Sequence, residues 1–224
     1  MLLTIPGLLI PAQVEKIREI LEGAEFVDGK LTAGFAAARV KNNLELSAET
    51  TRRERLNRVL MAAFAHNSLF RFGALPHRVA DPIVARYVPG MRYGDHVDDP
   101  IMGTQGPRFR TDVSMTVFLN PPETYDGGEL IIRTSFGERQ VKLPVGHAVI
   151  YPSSSLHRVA EVTRGERLVV LTWIQSYVRD PAQRELLYEL NLARERLLQS
   201  QPEAEITGYV DRSYANLLRM WADL

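Results

Sequence analysis

The chain has 224 residues, of which 45% are hydrophobic and 24% are charged, a composition typical of a globular protein with a sizeable core. It contains no cysteine, which excludes a disulfide scaffold, a zinc ribbon, an iron–sulfur protein and a cysteine nucleophile. The 27 basic residues balance 27 acidic ones, whereas a general nucleic-acid binder usually carries a basic excess.

The N-terminus lacks the basic segment of a signal peptide, and Pro6 and Gly7 interrupt its apolar stretch. No run of residues approaches the roughly 20 apolar residues that cross a bilayer. We therefore expect a soluble, cytoplasmic protein with no membrane and no nucleic-acid partner.

Residues 11–67 show mainly helical periodicity. Apolar residues follow Pro11 at helical spacing, and Gly23 is a plausible stop. Ser47 is expected to cap a second helix. The apolar residues of the two predicted helices are Val14, Ile17 and Leu21 in the first and Leu56, Val59, Leu60, Ala63 and Phe64 in the second.

Residues 81–176 change to strand periodicity. Apolar and polar residues alternate from Val113 to Leu119, and four further short segments, separated by glycine-containing turns, are strand candidates. These segments are 130–133, 139–143, 147–151 and 167–174. Because no helices alternate with the strands, the pattern favours an antiparallel sandwich or barrel over a doubly wound parallel sheet.

Residues 180–224 return to helical periodicity in two segments that Pro202 separates. One apolar stripe comprises Leu186, Leu187, Leu190 and Leu197, and the other comprises Val210, Tyr214, Leu217, Leu218 and Trp221. We expect these stripes to pack on the strand domain or on a second subunit, which makes a homodimer one expectation.

A metal-binding pattern begins at His96. Asp98 follows at i+2, and on an extended strand both side chains point to the same face. His157, on a later predicted strand, offers a third ligand. Two histidines and one carboxylate that leave open positions form the facial triad of non-haem Fe(II) oxygenases. The other three histidines, His66, His77 and His147, are expected to be structural or surface residues.

Arg167 lies ten residues after His157, on the next strand candidate. A buried guanidinium there would bind a carboxylate through two parallel hydrogen bonds. In isolation, a surface arginine beside Glu166 is the simpler interpretation. The order His96-x-Asp98, His157, Arg167 on strands of one barrel favours the carboxylate-binding role.

The sequence resembles the Fe(II)- and 2-oxoglutarate-dependent dioxygenases, in the prolyl/lysyl hydroxylase-like branch, and is most similar to bacterial PKHD-type hydroxylases, a group often associated with iron uptake. The resemblance is densest from residue 86 to 180. It is carried, besides the triad, by Arg86-Tyr87, Tyr93-Gly-Asp-His96-Val-Asp98, Arg110-Thr-Asp, Phe118-Leu-Asn, Tyr125-Asp-Gly-Gly-Glu-Leu, Leu143-Pro, Tyr151-Pro-Ser-Ser-Ser-Leu-His157 and Trp173-Ile-Gln-Ser.

The resemblance implies a mainly β fold with flanking helices. Its core would be a double-stranded β-helix, or jelly-roll, over residues 81–178. Residues 1–80 would form an N-terminal helical part that buttresses the same domain, and residues 179–224 a C-terminal helical extension.

The resemblance also assigns the site. His96, Asp98 and His157 would bind Fe(II), and Arg167 would bind the C5 carboxylate of 2-oxoglutarate, whose keto oxygen and C1 carboxylate chelate the metal. Tyr87 matches a position whose hydroxyl often touches that carboxylate, and Trp173 matches a residue that lines the cosubstrate pocket.

Position 118 departs from the family pattern. Some prolyl hydroxylases have a second cosubstrate tyrosine before Leu-Asn, where this chain has Phe118. The carboxylate would then rely more on Arg167 and Tyr87, or on Thr116 if that face of the strand points inward.

The implied activity is hydroxylation of an unactivated C–H bond, with dioxygen consumed and 2-oxoglutarate decarboxylated to succinate. Ascorbate is the expected activator, since it reduces iron that has been oxidised in uncoupled turnovers. Arg92, Tyr93 and Asp99 are the predicted substrate contacts. The segment 99–108 is either a lid over the substrate or an ordinary surface loop.

Rival interpretations are a cupin-like metalloenzyme that does not use 2-oxoglutarate, a non-catalytic sensor of iron and 2-oxoglutarate, and a purely structural jelly-roll. The substrate stays open between a prolyl or lysyl side chain of a protein, a free amino acid and a siderophore-like metabolite.

Overall fold

The computed structural model describes residues 1–103 and 108–223, apart from the side chains of residues 35, 36 and 50. Its α-helices are α1 (Pro11–Leu21), α2 (Phe35–Ala38), α3 (Thr50–His66), α4 (Ser68–Ala74), α5 (Pro181–Ser200) and α6 (Glu205–Trp221). Its strands are β1 (Leu3–Ile5), β2 (Phe26–Asp28), β3 (Lys41–Asn42), β4 (Leu44–Leu46), β5 (Pro76–Val79), β6 (Ile83–Tyr87), β7 (Arg92–His96), β8 (Ile101–Met102), β9 (Phe109–Arg110), β10 (Val113–Phe118), β11 (Asp126–Gly127), β12 (Leu130–Thr134), β13 (Gly137–Val141), β14 (Ala148–Pro152), β15 (His157–Val159), β16 (Val162–Arg164) and β17 (Arg167–Ser176).

The strands form two main antiparallel sheets. The larger sheet has the order β1-β14-β10-β17-β6-β4-β2, and β5 pairs with the far part of β17. The smaller sheet has the order β13-β12-β15-β7-β3. An apolar cluster joins the inner faces of the two sheets, with Val149 and Val169 from the larger sheet and Leu130 and Ile132 from the smaller one. The expected mainly β fold with flanking helices and a jelly-roll core is confirmed.

The N-terminal segment contributes strands as well as helices. β1 extends the edge of the larger sheet beside β14, while β3 and β4 lie next to β7 and β6 respectively. The short connection between β3 and β4 therefore joins the two sheets beside the end of β6 and the start of β7.

Helices α1, α3 and α4 cover the outer face of the larger sheet. The inward stripes of α1 and α3 pack with Val113, Met115 and Val117 of β10, whose other face points between the sheets. The expected stop after α1 is confirmed, because Gly23 has a φ of +61° just beyond the last turn. The predicted cap at Ser47 is wrong: α3 begins at Thr50, with Glu49 at the N-cap position.

Helices α5 and α6 pack against each other at the end of β17. Their shared core contains Leu75, Val178, Leu187 and Tyr214, all buried, with Leu190, Leu217, Leu218 and Trp221 packed against it. Leu186 does not belong to this stripe, since its exposed fraction is 56%. Consecutive residues on a helix are about 100° apart, so burying Leu187 turns Leu186 towards solvent.

Within the described residues, none of the helices is both long enough and apolar enough to span a bilayer. Residues 104–107 of the segment proposed as a lid lie outside the described residues. The flanking parts form the β8–β9 hairpin, in which Ile101 pairs with Arg110 and Met102 with Phe109.

Candidate metal and cosubstrate site

The two predicted metal-binding histidines lie opposite each other on neighbouring strands. His96 ends β7 and His157 begins β15, and the two are direct partners in the antiparallel register. Asp98 follows β7 and projects Oδ1 between them, 3.9 Å from His96 Nε2 and 3.8 Å from His157 Nε2. The three donor atoms lie within 4.8 Å of one another, close enough to share one metal ion.

Each imidazole is oriented by a backbone carbonyl. His96 Nδ1 lies 2.8 Å from the carbonyl oxygen of Gly94, and His157 Nδ1 lies 2.9 Å from that of Ser155. A carbonyl can only accept, so Nδ1 donates in both rings and Nε2 is the nitrogen left to face a metal.

The Asp98 carboxylate is oriented by serine. Ser114 Oγ on β10 donates to Asp98 Oδ2 at 2.5 Å and lies 2.8 Å from Ser153 Oγ. This hydrogen bond occupies Oδ2 and leaves Oδ1 facing the histidines. The sequence analysis assigned no role to Ser114 or Ser153. The alternation along the predicted strand did place Ser114 on the same face as Thr116.

Burial keeps His96 neutral. Desolvation, followed by repulsion from a charge on His157, lowers the pKa of His96 from 6.5 to about 4. Tyr93 stacks on its ring, with ring centroids 3.6 Å apart and an interplanar angle of 9°. Two imidazoles and one carboxylate suit a divalent transition metal such as Fe(II), so the residues present fit the predicted ion.

The three ligands open into a cavity of about 730 Å³. Most predicted site residues line it: Arg167, Tyr87, Trp173, Tyr93 and Asp99. Thr116 also lines it and is buried, so this face of β10 does point inward. Arg92 lies outside the described lining of the cavity; its side chain is exposed and forms a 2.7 Å ion pair with Glu161. As a substrate contact, Arg92 therefore lacks structural support.

Arg167 is fully buried in this cavity, with an exposed fraction of 1%. Its guanidinium carbon lies 5.0 Å from the ring centroid of Tyr87 and 5.7 Å from that of Phe118. All three of its side-chain nitrogens are buried without a hydrogen-bond partner among the described residues. Glu166 pairs with Arg86 instead, at 2.5 Å. The arginine is therefore not a surface residue, and it presents unused donors to the cavity.

Other polar residues in the wall were not singled out from the sequence. Lys41 and Glu45 form a buried 2.5 Å ion pair, and Thr32 Oγ1 donates to the second oxygen of Glu45. Tyr151 is buried in the same cavity, its ring centroid 5.1 Å from that of His157. Only the tertiary packing of β3 and β4 on the two sheets brings Lys41 and Glu45 to the site.

Two family models match the chain. One, the 2OG-Fe(II) oxygenase superfamily, covers residues 82–175, and the other, the PKHD-type hydroxylase C-terminal domain, covers residues 181–223. A PKHD-type hydroxylase of Thioalkalivibrio sulfidiphilus is 54% identical over 224 residues, spanning all of both chains. This chain belongs to the PKHD-type hydroxylases. Another family member, from Paracoccus denitrificans, is 44% identical over 228 residues and also matches over the full length of both chains.

Solved structures of low identity share the fold. A Pseudomonas putida prolyl-4-hydroxylase is 18% identical, with a TM-score of 0.54 over 78% of this chain and 92% of its own. A prolyl hydroxylase from Trichoplax adhaerens is 15% identical, with a TM-score of 0.55 over 83% of this chain and 86% of its own.

Family membership decides the reaction class. The PKHD-type hydroxylase is an Fe(II)- and 2-oxoglutarate-dependent dioxygenase, and its metal, cosubstrate and oxidant are Fe(II), 2-oxoglutarate and dioxygen. This outcome confirms the predicted enzyme and sets aside the cupin-like, sensor and structural alternatives.

Proposed function

We propose that His96, Asp98 and His157 hold the Fe(II) of this hydroxylase, and that Arg167 binds the C5 carboxylate of 2-oxoglutarate. The observation that carries the proposal is the buried Arg167, which lines the cavity that also contains the triad and whose three side-chain nitrogens have no hydrogen-bond partner in the described part of the chain. An unpaired buried charge is costly, so this guanidinium requires an anionic ligand.

Residues of this chain hold the metal-binding atoms and the cosubstrate in position. The two backbone carbonyls and Ser114 hold the metal-facing atoms of the triad in place before any metal arrives. Arg167 sets the depth at which the cosubstrate sits. When bound, iron supplies the activation of dioxygen that couples decarboxylation of 2-oxoglutarate to hydroxylation of the substrate.

Buried tyrosines line the cosubstrate end of the cavity. Desolvation raises the pKa of Tyr87 to about 12 and raises that of Tyr151 well above its ordinary value, so both hydroxyls stay protonated at neutral pH. Tyr87, which lies against the Arg167 guanidinium, thus provides a hydroxyl group that can donate to a carboxylate, while Thr116 and Trp173 also line the cavity.

The remaining part of the cavity receives the substrate. Drug-sized ligands occupy pockets of about 300–1,000 Å³, so the cavity has room beyond a five-carbon cosubstrate. Tyr93 and Asp99 line it beside the metal ligands, and Ile101, Met102 and Phe109 of the β8–β9 hairpin add apolar surface. The substrate enters as a small molecule or as a protein side chain.

The test is anaerobic titration of the Fe(II)-loaded protein with 2-oxoglutarate. Arg167→Met keeps the apolar stem but removes the guanidinium, which should cost about 2–5 kcal/mol, or a roughly 30- to several-thousand-fold weaker affinity. Arg167→Lys should rescue only part of this loss, because lysine offers a point charge in place of a planar fork.

Arg139→Met, at an exposed position on β13, is the matched control and should bind as the wild type does. Fe(II) affinity should survive in all three variants. Equal 2-oxoglutarate affinities in the wild type and Arg167→Met would remove Arg167 from the site.

A further inference from the structure

Three consecutive serines, Ser153, Ser154 and Ser155, lie between β14 and the metal-ligand candidate His157. They differ in burial, because Ser153 has an exposed fraction of 2% whereas Ser154 is exposed. Ser155 already has a part in the site, since its carbonyl oxygen lies 2.9 Å from His157 Nδ1. The buried hydroxyl of Ser153 lies against a different residue, Ser114 of β10.

The two buried serine hydroxyls form a chain of hydrogen bonds that ends on Asp98. Ser114 Oγ donates to Asp98 Oδ2 at 2.5 Å, and Ser153 Oγ lies 2.8 Å from Ser114 Oγ. A hydroxyl has a single hydrogen, and that of Ser114 is used on the carboxylate. Ser153 is therefore the donor to Ser114, and the chain runs from Ser153 through Ser114 to Asp98.

The backbone of Ser153 is held by the larger sheet. Its amide donates to the carbonyl oxygen of Asp112 at 3.1 Å. The Asp112 carboxylate is fixed in turn, because it accepts from Arg110 Nε at 2.7 Å and from the backbone amide of Ser176 at 2.9 Å. The chain of hydroxyls therefore begins where the ends of β10, β14 and β17 are tied together.

A hydrogen bond from Ser153 changes what the Ser114 hydroxyl can do. A hydroxyl that accepts one hydrogen bond becomes a better donor of another, because bonds in a chain polarise one another. Accepting from Ser153 also holds the Ser114 hydroxyl in one orientation, whereas a hydroxyl without a second partner rotates freely. Both effects favour the bond to Asp98.

We propose that Ser153 is a positioning residue of the metal site, which acts on Asp98 through Ser114 and keeps Asp98 Oδ1 turned towards the histidines. One short segment of the chain thus orients two of the three ligands. It holds His157 by the carbonyl of Ser155 and Asp98 by the hydroxyl of Ser153. This inference rests on the metal site proposed above.

The test is a double-mutant cycle in Fe(II) affinity, measured by anaerobic calorimetric titration. Removing a group that hydrogen-bonds directly to a metal ligand typically lowers the affinity about 10- to 100-fold, and Ser153 lies one bond further out. Ser153→Ala should therefore weaken Fe(II) binding by roughly 2- to 10-fold, the range for one neutral hydrogen bond. In the Ser114→Ala background the same substitution should have no further effect, because the link to Asp98 is already broken.

Ser154→Ala, at the exposed neighbouring position, is the matched control and should bind Fe(II) as the wild type does. A serine that acted only through packing would lower the affinity equally in the wild-type and Ser114→Ala backgrounds, and that result would overturn the proposal. Wild-type affinity in Ser153→Ala, or in Ser114→Ala, would overturn it as well.

His157→Ala, titrated alongside, separates the role of Ser153 from the metal site on which it rests. If His157→Ala loses tight Fe(II) binding while Ser153→Ala keeps the wild-type affinity, only the role of Ser153 fails. If His157→Ala also binds as the wild type does, the metal site itself is misassigned.

Discussion

His96 and His157 are direct cross-strand partners, and their imidazole centroids lie 4.2 Å apart. This register brings both Nε2 atoms close to one point. Asp98, two residues beyond the end of β7, places a carboxylate oxygen there. Sheet pairing therefore brings the three candidate donor atoms together in the absence of a metal.

Removing two ligands should abolish metal binding. We expect His96→Ala/Asp98→Ala to lose tight Fe(II) binding, because one of only three protein ligands would remain. His66→Ala, on the exposed end of α3, is the control. Calorimetric titration with Fe(II) measures binding, and circular dichroism checks that both variants keep a cooperative fold. Wild-type affinity in the double variant would show that the metal lies elsewhere.

Ser114 should matter through Asp98. Ser114→Ala removes the donor that fixes Asp98 Oδ2, and loss of such a supporting hydrogen bond typically lowers metal affinity about 10- to 100-fold. Ser135→Ala, in an exposed turn, should leave the affinity unchanged. Calorimetric titration with Fe(II) again measures the affinity. An undiminished affinity in Ser114→Ala would mean that the backbone following β7 is sufficient to position Asp98.

The metal-free protein should lose stability as the pH falls below neutrality. His96 has a pKa of about 4 when folded, against 6.5 as its ordinary value, so the unfolded chain binds more protons between those pH values. Stability contributed by neutral His96 is present above pH 6.5 and decreases by about 2 kcal/mol by pH 5. Urea unfolding of the metal-free protein at pH 7 and pH 5 measures the decrease.

Substituting His96 measures how much this residue contributes to the pH dependence of stability. His96→Gln should unfold with a smaller difference between pH 7 and pH 5, whereas His66→Gln, at an exposed position, should keep the wild-type difference. An identical difference in the wild type and both variants would assign the effect to other groups.

The C-terminal helices should contribute to stability through one buried tyrosine. Tyr214→Ala opens the cluster around Leu187 and Val178 and should cost about 3–5 kcal/mol, the range for truncating a buried aromatic residue. Tyr209→Ala, on the same helix but 50% exposed, should change stability by about 0.5 kcal/mol or less. Urea unfolding compares the two. Similar losses would indicate that α6 is only loosely attached.

Much of the site was predictable from local pattern. His96 and Asp98 share a face because strand side chains alternate, and His157 and Arg167 follow on later strand segments. The structure brings all four to one cavity. Two details of the predicted helices are wrong. α3 begins at Thr50, so Ser47 does not cap it, and Leu186 faces solvent instead of joining the apolar stripe of α5.

From the sequence alone, periodicity and motif spacing predicted the fold class and the candidate ligand pattern, because both are properties of neighbouring residues, and the resemblance to a known family indicated the reaction class. Only the tertiary structure decided which polar groups meet. Lys41 and Glu45 reach the cavity because β3 and β4 join different sheets, and Tyr125 reaches Arg167 because both pack on Gly128. Arg92 pairs with Glu161 on the surface instead of lining the cavity. Such contacts depend on sheet order and register, which bring together residues far apart in the chain and which no local spacing encodes.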